Sequence, residues 1–159
     1  MKKAIYAGTF DPITHGHIDV VSRATKLFDK IIIGVSSRPK STLFTQRERM
    51  ELVKTVFRNE KKIKVMGFSS LLVDFARKLG AATIIRGMRA VSDFDYELQL
   101  TLMNRKLAPK IETIFLMPSE KYIFISSSLA KEIASLNGDI SHLVPLVVAK
   151  ALRKKLRKK

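Results

Sequence analysis

The sequence predicts an α/β fold: a Rossmann-like, doubly wound sheet of five parallel strands flanked by helices, in a single domain spanning 1–159. Three observations predict it. Short β-branched or apolar runs alternate with longer amphipathic segments along the chain. The runs are spaced widely enough for a helix between each pair, as right-handed parallel crossovers require. At 159 residues the chain suits one domain with a sizeable core.

In order, the first strand falls near Ala4–Tyr6, and a helix follows near Gly16–Leu27 after the loop "GTFDPITHGH". A second strand near Lys30–Val35 precedes a helix near Thr45–Phe57. That helix opens on "TQRE", a capping box in which Thr45 caps and Glu48 reaches back. The third strand, near Ile63–Met66, leads to a helix near Leu71–Leu79, with Gly80 after "FARKL" as its stop. A fourth strand near Thr83–Ile85, a helix near Asp93–Leu107 and a fifth strand near Ile111–Leu116 come next. Helices near Ser127–Leu136 and Pro145–Lys155 close the pattern. No linker, repeat or low-complexity block interrupts it, apart from a basic tail at about 150–159.

Composition narrows the function classes. There is no cysteine, which excludes disulfides and thiolate metal sites. No signal-like start is expected from "MKKAIYAGTFDP", and no apolar run approaches the roughly 18–20 residues that cross a bilayer. The expected location is the cytoplasm. A net charge of +16 favours anionic partners: nucleic acid, acidic membrane or phosphorylated small molecules. Part of it sits in "AKALRKKLRKK", with seven basic residues and no acid. This reads as a solvated helix end whose cations suit the dipole, with a nucleic-acid or membrane tether as the sharper alternative. No nucleic-acid-binding motif is recognisable, and aromatic residues do not interleave with the basic run.

In a sheet of this kind, ligands gather beyond the carboxyl ends of the strands. All five elaborate loops follow strands: "GTFDPITHGH", "SSRPKSTLF", "GFSSLL", "RGMRAVSDFDYE" and "MPSEKYIFISSS". The opposite connections, such as "RKLGA" and "KLAPK", are short and plain. Neither G-x-G-x-x-G nor a G-x-x-x-x-G-K-[ST] loop is present. The first loop nevertheless has parts for phosphate. Gly8 permits close backbone approach, Thr9 offers an amide and a hydroxyl, and Gly16 and His17 open a helix whose N-terminus favours an anion. His15 is expected to be a loop residue, and His142 structural or surface-exposed. Arg86 and Arg89 bracket Gly87, and their planar forks suit phosphate. Arg86 ends a buried strand, so its charge needs an anionic partner. Glu97 reads either as an exposed helical carboxylate or as part of the site. The three serines of "ISSSLAKE" can cap a helix or form an anion nest. Lys40 is either a surface lysine or a mobile cation over the site.

Together, "YAGTFDPITHGHIDVVSRA", "LFTQRERMEL", "IIRGMRAVSDFDYELQLTLMNRKL", "FLMPSEKYIFISSSLAKEIA" and "GDISHLVP" closely resemble the bacterial-type phosphopantetheine adenylyltransferases. These belong to the nucleotidyltransferase superfamily with the T/H-x-G-H signature. The pieces occur in family order from about Lys3 to Leu152. The resemblance implies adenylyl transfer from ATP to 4′-phosphopantetheine, with Mg²⁺ borne mainly by ATP phosphates. It implies a hexamer made of two trimers and feedback binding of coenzyme A, while the residues themselves lead us to expect no specific nucleic-acid or membrane partner. By the same resemblance Thr9 and His17 contact ATP phosphates and Phe10 lies along the nucleotide. Lys40, Leu72 and Arg86 serve the phosphopantetheine side, with Thr9 shared. Gly87, Met88, Arg89, Glu97, Tyr122, Ile123, Phe124, Ile125, Ser126, Ser127 and Ser128 line the ATP site. Met88 stands where leucine is common, and Ser70 where an acid often precedes the leucine pair. A relative acting on nicotinamide mononucleotide would instead be expected to read I-S-S-T-x-x-R near "ISSSLAK".

The expected chemistry needs no nucleophilic side chain and no general base, because the attacking phosphate is already an anion. Positioning and electrostatic stabilisation carry it. His17 and its helix would hold α-phosphate oxygens, Lys40 and Arg86 the attacking phosphate, and Arg89, Ser127, Ser128 and Mg²⁺ the β,γ side.

Overall fold

A computed structural model of the chain describes residues 1–39, 41–89 and 91–157, the side chains of 91–93 excepted. Five parallel strands run in order through β1 (Lys3–Gly8), β2 (Lys30–Ser36), β3 (Ile63–Phe68), β4 (Thr83–Gly87) and β5 (Glu112–Leu116). Between and after them lie α1 (His15–Ala24), α2 (Gln46–Val56), α3 (Leu72–Lys78), α4 (Val91–Leu107), α5 (Ser127–Ser135) and α6 (Leu146–Leu156). The expected doubly wound fold is present, with strand order β3-β2-β1-β4-β5.

The chain starts at the centre, winds outward through β2 and β3, then returns to the far side of β1 for β4 and β5. Right-handed crossovers therefore place the helices on opposite faces of the two halves. Val20, Val21 and Ala24 of α1, Val53 of α2, and Val148 and Leu152 of α6 pack with Ala4, Tyr6 and Ile33 on one face. Val73, Phe75 and Ala76 of α3 pack with Ile5, Ala7 and Ile32 on the other. The central strands are buried on both faces, so they read as continuous apolar runs without alternation.

Local signals set most boundaries. Thr45 and Glu48 make the expected capping box at α2. Gly80 adopts φ 61° after α3, a conformation open to glycine at little cost. The start of α1 departs from the expectation. Its N-cap is Thr14, so His15 is the first helical residue and not part of a loop. The reason is a second capping box: the Thr14 hydroxyl accepts the His17 N–H, and His17 Nδ1 accepts the Thr14 N–H at 3.0 Å. The basic tail also differs from a simple solvated end. Leu152 of α6 is fully buried, and Lys155 bonds Glu48 of α2 at 2.7 Å, so its first turns belong to the core packing.

α4 is apolar on several sides. Tyr96, Leu102, Met103 and Leu107 are exposed although α4 is the longest helix, while Glu97 and Thr101 are buried. Among the described residues, no helix is long and apolar enough to cross a membrane.

Candidate functional site

The carboxyl ends of all five strands surround one cleft of about 560 Å³. Gly8, Thr9 and Phe10 come from the β1 loop, Ser36 from β2, and Phe68 and Leu72 from the β3–α3 junction. Arg86, Gly87 and Arg89 follow β4, Pro118 follows β5, and Ser126, Ser127 and Ser128 start α5. The cleft straddles β1 and β4, where the winding reverses, as the topology requires of a ligand site.

The β1 loop forms its floor. Phe10 takes φ 51°, an uncommon conformation for a residue with a side chain, and its ring is buried. That ring meets Tyr6 and His17 edge-on, with centroids 5.5 and 5.1 Å away. Burial, and after it the Arg89 charge, push the His17 imidazole down to about 4, so the ring is neutral at working pH. A backbone N–H can only donate, so the bond from Thr14 makes Nδ1 an acceptor. The remaining proton then sits on Nε2, leaving His17 as a neutral N–H donor at the cleft.

The N-terminus of α1 offers less than expected. The His15 N–H is taken by Leu143 O at 2.9 Å and the His17 N–H by the Thr14 hydroxyl. Only the Gly16 amide of this turn lacks an acceptor among the described residues. A Cβ at Gly16 would stand 3.4 Å from Tyr122 O, so the loop before α5 packs closely against this turn. His15 stacks on Tyr122 at 5.9 Å, outside the cleft lining.

At α5, Ser126 caps the helix by accepting the Leu129 N–H at 3.0 Å. The Ser127 hydroxyl donates to Pro12 O at 2.7 Å, so its proton is already engaged. What the serine turn can present to an anion is therefore its first-turn amides, with the exposed Ser128 hydroxyl. Arg89 donates to Ile125 O at 3.1 Å, tying the β4 loop to the same turn.

Arg86 has its anionic partner inside the protein. Its Nε donates to Glu97 Oε2 at 2.6 Å, its Nη2 to Glu97 Oε1, and its Nη1 to Ala7 O at 3.1 Å. Burial opposes the charge, but the Glu97 carboxylate more than offsets it and holds Arg86 above the usual range. Three of its five N–H donors are used, leaving two for the cleft that it lines. Glu97 is 8% exposed, so the reading of it as an exposed helical carboxylate is corrected.

The structure thus brings together Thr9, Phe10, His17, Leu72, Arg86, Gly87, Arg89, Glu97, Ile125, Ser126, Ser127 and Ser128. It does not place Met88, Tyr122, Ile123 or Phe124 in the lining. The Met88 N–H bonds Leu116 O, and Phe124 is 86% exposed. Lys40 lies outside the described residues. Several residues of the site escaped the sequence reading. Tyr6 lines the cleft, its hydroxyl has no hydrogen-bond partner among the described residues, and burial pushes its ionisation up, so it stays a neutral donor. Asp11 accepts from Leu43 N, Phe44 N and Lys131. Burial alone would raise its carboxyl, but these three donors hold it below the usual range. Asp19 accepts from Ser119 N and Oγ at 2.8 and 2.6 Å, fixing the loop after β5.

Among the described residues, no three His, Asp or Glu side chains are grouped to hold a metal. Among the described residues, the one carboxylate in the cleft lining is Glu97, and it is engaged by Arg86.

Residues 5–133 match the model of a family described as cytidylyltransferase-like. A phosphopantetheine adenylyltransferase of Alkaliphilus metalliredigens is 51% identical over 156 residues, covering 98% of this chain and 99% of that protein. Another, from Methylacidiphilum infernorum, is 52% identical over 168 aligned positions, covering 100% and 94%. Among solved structures, a putative nicotinate-nucleotide adenylyltransferase from Vibrio parahaemolyticus superposes with a TM-score of 0.74 at 17% identity, covering 100% of this chain and 97% of that one. The Plasmodium falciparum nicotinic acid mononucleotide adenylyltransferase complexed with APC gives 0.69 at 17% identity, covering 99% and 94%. These two likenesses concern the fold.

Proposed function

The chain belongs to the phosphopantetheine adenylyltransferases of the cytidylyltransferase-like family, and from that membership we propose how its cleft works. The enzyme is a nucleotidyltransferase of coenzyme A biosynthesis: it moves the adenylyl group of ATP to 4′-phosphopantetheine, giving dephospho-coenzyme A and pyrophosphate.

The observation that carries the residue assignment is the neutral His17 donor facing a cleft walled by Arg86, Arg89 and the α5 serine turn. A phosphate oxygen of the acceptor attacks the α-phosphorus in line, and no side chain removes a proton first. His17 Nε2–H and the Gly16 amide hold α-phosphate oxygens as charge builds on them. Arg86 offers its two remaining N–H groups to the acceptor phosphate, with Thr9 between the two substrates. Leu72 and Phe68 give the pantetheine arm an apolar wall. Arg89 and the amides of Ser127 and Ser128 take the β,γ end. Glu97 holds the Arg86 fork, and Phe10 supports the nucleotide through its backbone. Magnesium, carried on phosphate oxygens and water, would neutralise the leaving pyrophosphate, since this donor set suits a metal brought by the substrate.

Pyrophosphate release tests the reading. It is expected with ATP only when phosphopantetheine is added, and to stay at background with nicotinamide mononucleotide as acceptor. Release with the mononucleotide alone would overturn the substrate assignment.

The unpartnered apolar surface of α4 supports self-association, and the family resemblance suggests a hexamer. Sedimentation is expected to show a species of about six 18.0 kDa chains, and Leu102→Glu to reduce its size. A purely monomeric parent would rule this out. Coenzyme A carries both the adenylyl and pantetheine parts of the product, so we extend the same cleft to its feedback binding.

A further inference from the structure

Two buried charges beside the cleft take no part in the chemistry described so far. Asp11, 4% exposed, accepts from the Leu43 and Phe44 N–H groups at 2.9 Å each and from the Lys131 ammonium at 2.8 Å. Arg49 of α2, 1% exposed, makes no ion pair among the described residues. Its guanidinium donates instead to three carbonyls: Ser36 O at 2.9 Å, Phe44 O at 3.2 Å, and Thr9 O.

The pattern has a geometric sense. Ser36 and Phe44 are the two roots of the segment 37–43, and both are bonded to one guanidinium. The Phe44 residue is gripped through its N–H by Asp11 and through its carbonyl by Arg49. The same two side chains hold the β1 loop, Arg49 through Thr9 O and Asp11 as a member of it. α5 joins through Lys131 on Asp11 and Ser127 on Pro12, one helical turn apart. Buried charges are a poor source of stability, and apolar residues of similar volume often serve as well. Here they fix the relative placement of three loops.

We propose that Asp11 and Arg49 are positioning residues that clamp the two roots of segment 37–43, Ser36 and Phe44, to the nucleotide loop and so set where the acceptor phosphate is met. The proposal rests on the reading above, in which this segment, which carries Lys40, serves phosphopantetheine. Neither residue touches a reacting atom; both act through the backbone of Thr9 and Phe44.

The chain has no cysteine, so Ser41→Cys at an exposed position gives a unique nitroxide label on the full-length protein. In that labelled parent, Asp11→Asn turns one carboxylate oxygen into a donor facing donors. Arg49→Lys keeps the charge but cannot reach three carbonyls with a planar fork. Both are expected to sharpen the nitroxide spectrum and to raise KM for phosphopantetheine by at least about fivefold, while KM for ATP stays within about twofold. Circular dichroism checks the fold, and if Asp11→Asn does not fold, Arg49→Lys decides. An unchanged spectrum in the folded variants overturns the clamp. A sharpened spectrum with KM for phosphopantetheine unchanged, or with both KM values rising together, overturns the positioning role. Failure of the functional reading looks different: the labelled parent itself would release no pyrophosphate in response to phosphopantetheine.

Discussion

Replacing His17 by alanine is expected to lower kcat by at least about a hundredfold, the scale of losing one preorganised donor to a developing oxyanion. The side chain has two jobs in this fold, and the experiment must separate them. Nδ1 closes the capping box on Thr14, whereas Nε2 faces the cleft. Losing the box should cost about 1 kcal/mol of stability, far too little to unfold a domain of this size. Glutamine at the same position can restore the box, because Gln is the usual partner of an N-cap threonine. His17→Gln is therefore expected to recover the melting temperature while its kcat remains well below that of the parent. A glutamine variant turning over at the parent rate would show that His17 is structural only.

The pH dependence gives an independent check on the same residue. In the fold the imidazole titrates near 4, displaced by burial and then by Arg89, against about 6.5 in an unfolded chain. The unfolded state therefore binds a proton that the native state refuses between these values. The His17 contribution to stability should fall as pH drops through that window and be fully lost below about 4, where carboxylates such as Asp11 take over the further decline, and His17→Gln should lack the His17 component. Because the ring stays neutral above the window, kcat is not expected to show a step near 6.5 from His17. Denaturant titrations at several pH values, paired with rates, test both statements.

Much of the architecture was legible because its signals are local. Apolar runs of strand length, the Thr45–Glu48 box and the Gly80 stop each lie within a few residues. The cleft was legible for a topological reason, since five elaborate loops after five parallel strands must share an edge. What escaped was long-range or atypical. Histidine stands where a capping box usually has Glu or Gln, so α1 was expected to begin at Gly16. Arg49 sits in "QRERMEL" among solvated neighbours, and nothing in that stretch says it turns inward onto three carbonyls. Asp11 reaches partners 32, 33 and 120 residues away. A single sequence pattern shows no such contacts, although an Asp between an aromatic residue and Pro in a glycine-bearing loop was a hint of local fixing. The outer surface of α4 was beyond sequence reasoning for a related reason: a helix apolar on several sides does not announce which side its own chain covers.

Arg86→Ala is expected to raise KM for phosphopantetheine and to destabilise the protein by roughly 3 kcal/mol, the lower end of the cost of breaking a buried pair. The guanidinium side chain is about a quarter exposed, which argues for that lower end, but Glu97 at 8% exposure would lose the bidentate partner that Arg86 gives it. Two explanations of a raised KM then compete. Either the two N–H groups that Arg86 keeps for the cleft bind the acceptor phosphate, or the loss of Arg86 lets Glu97 and its helix shift. Combining Arg86→Ala with Glu97→Gln separates them, because a neutral amide tolerates the empty position better than a carboxylate does. If Arg86 contacts the acceptor, the double variant recovers much of the stability while KM for phosphopantetheine stays high. If KM returns towards the parent value together with stability, Arg86 acts only by holding Glu97. A rise confined to KM for ATP would place Arg86 on the nucleotide side and reverse the proposed division of the cleft.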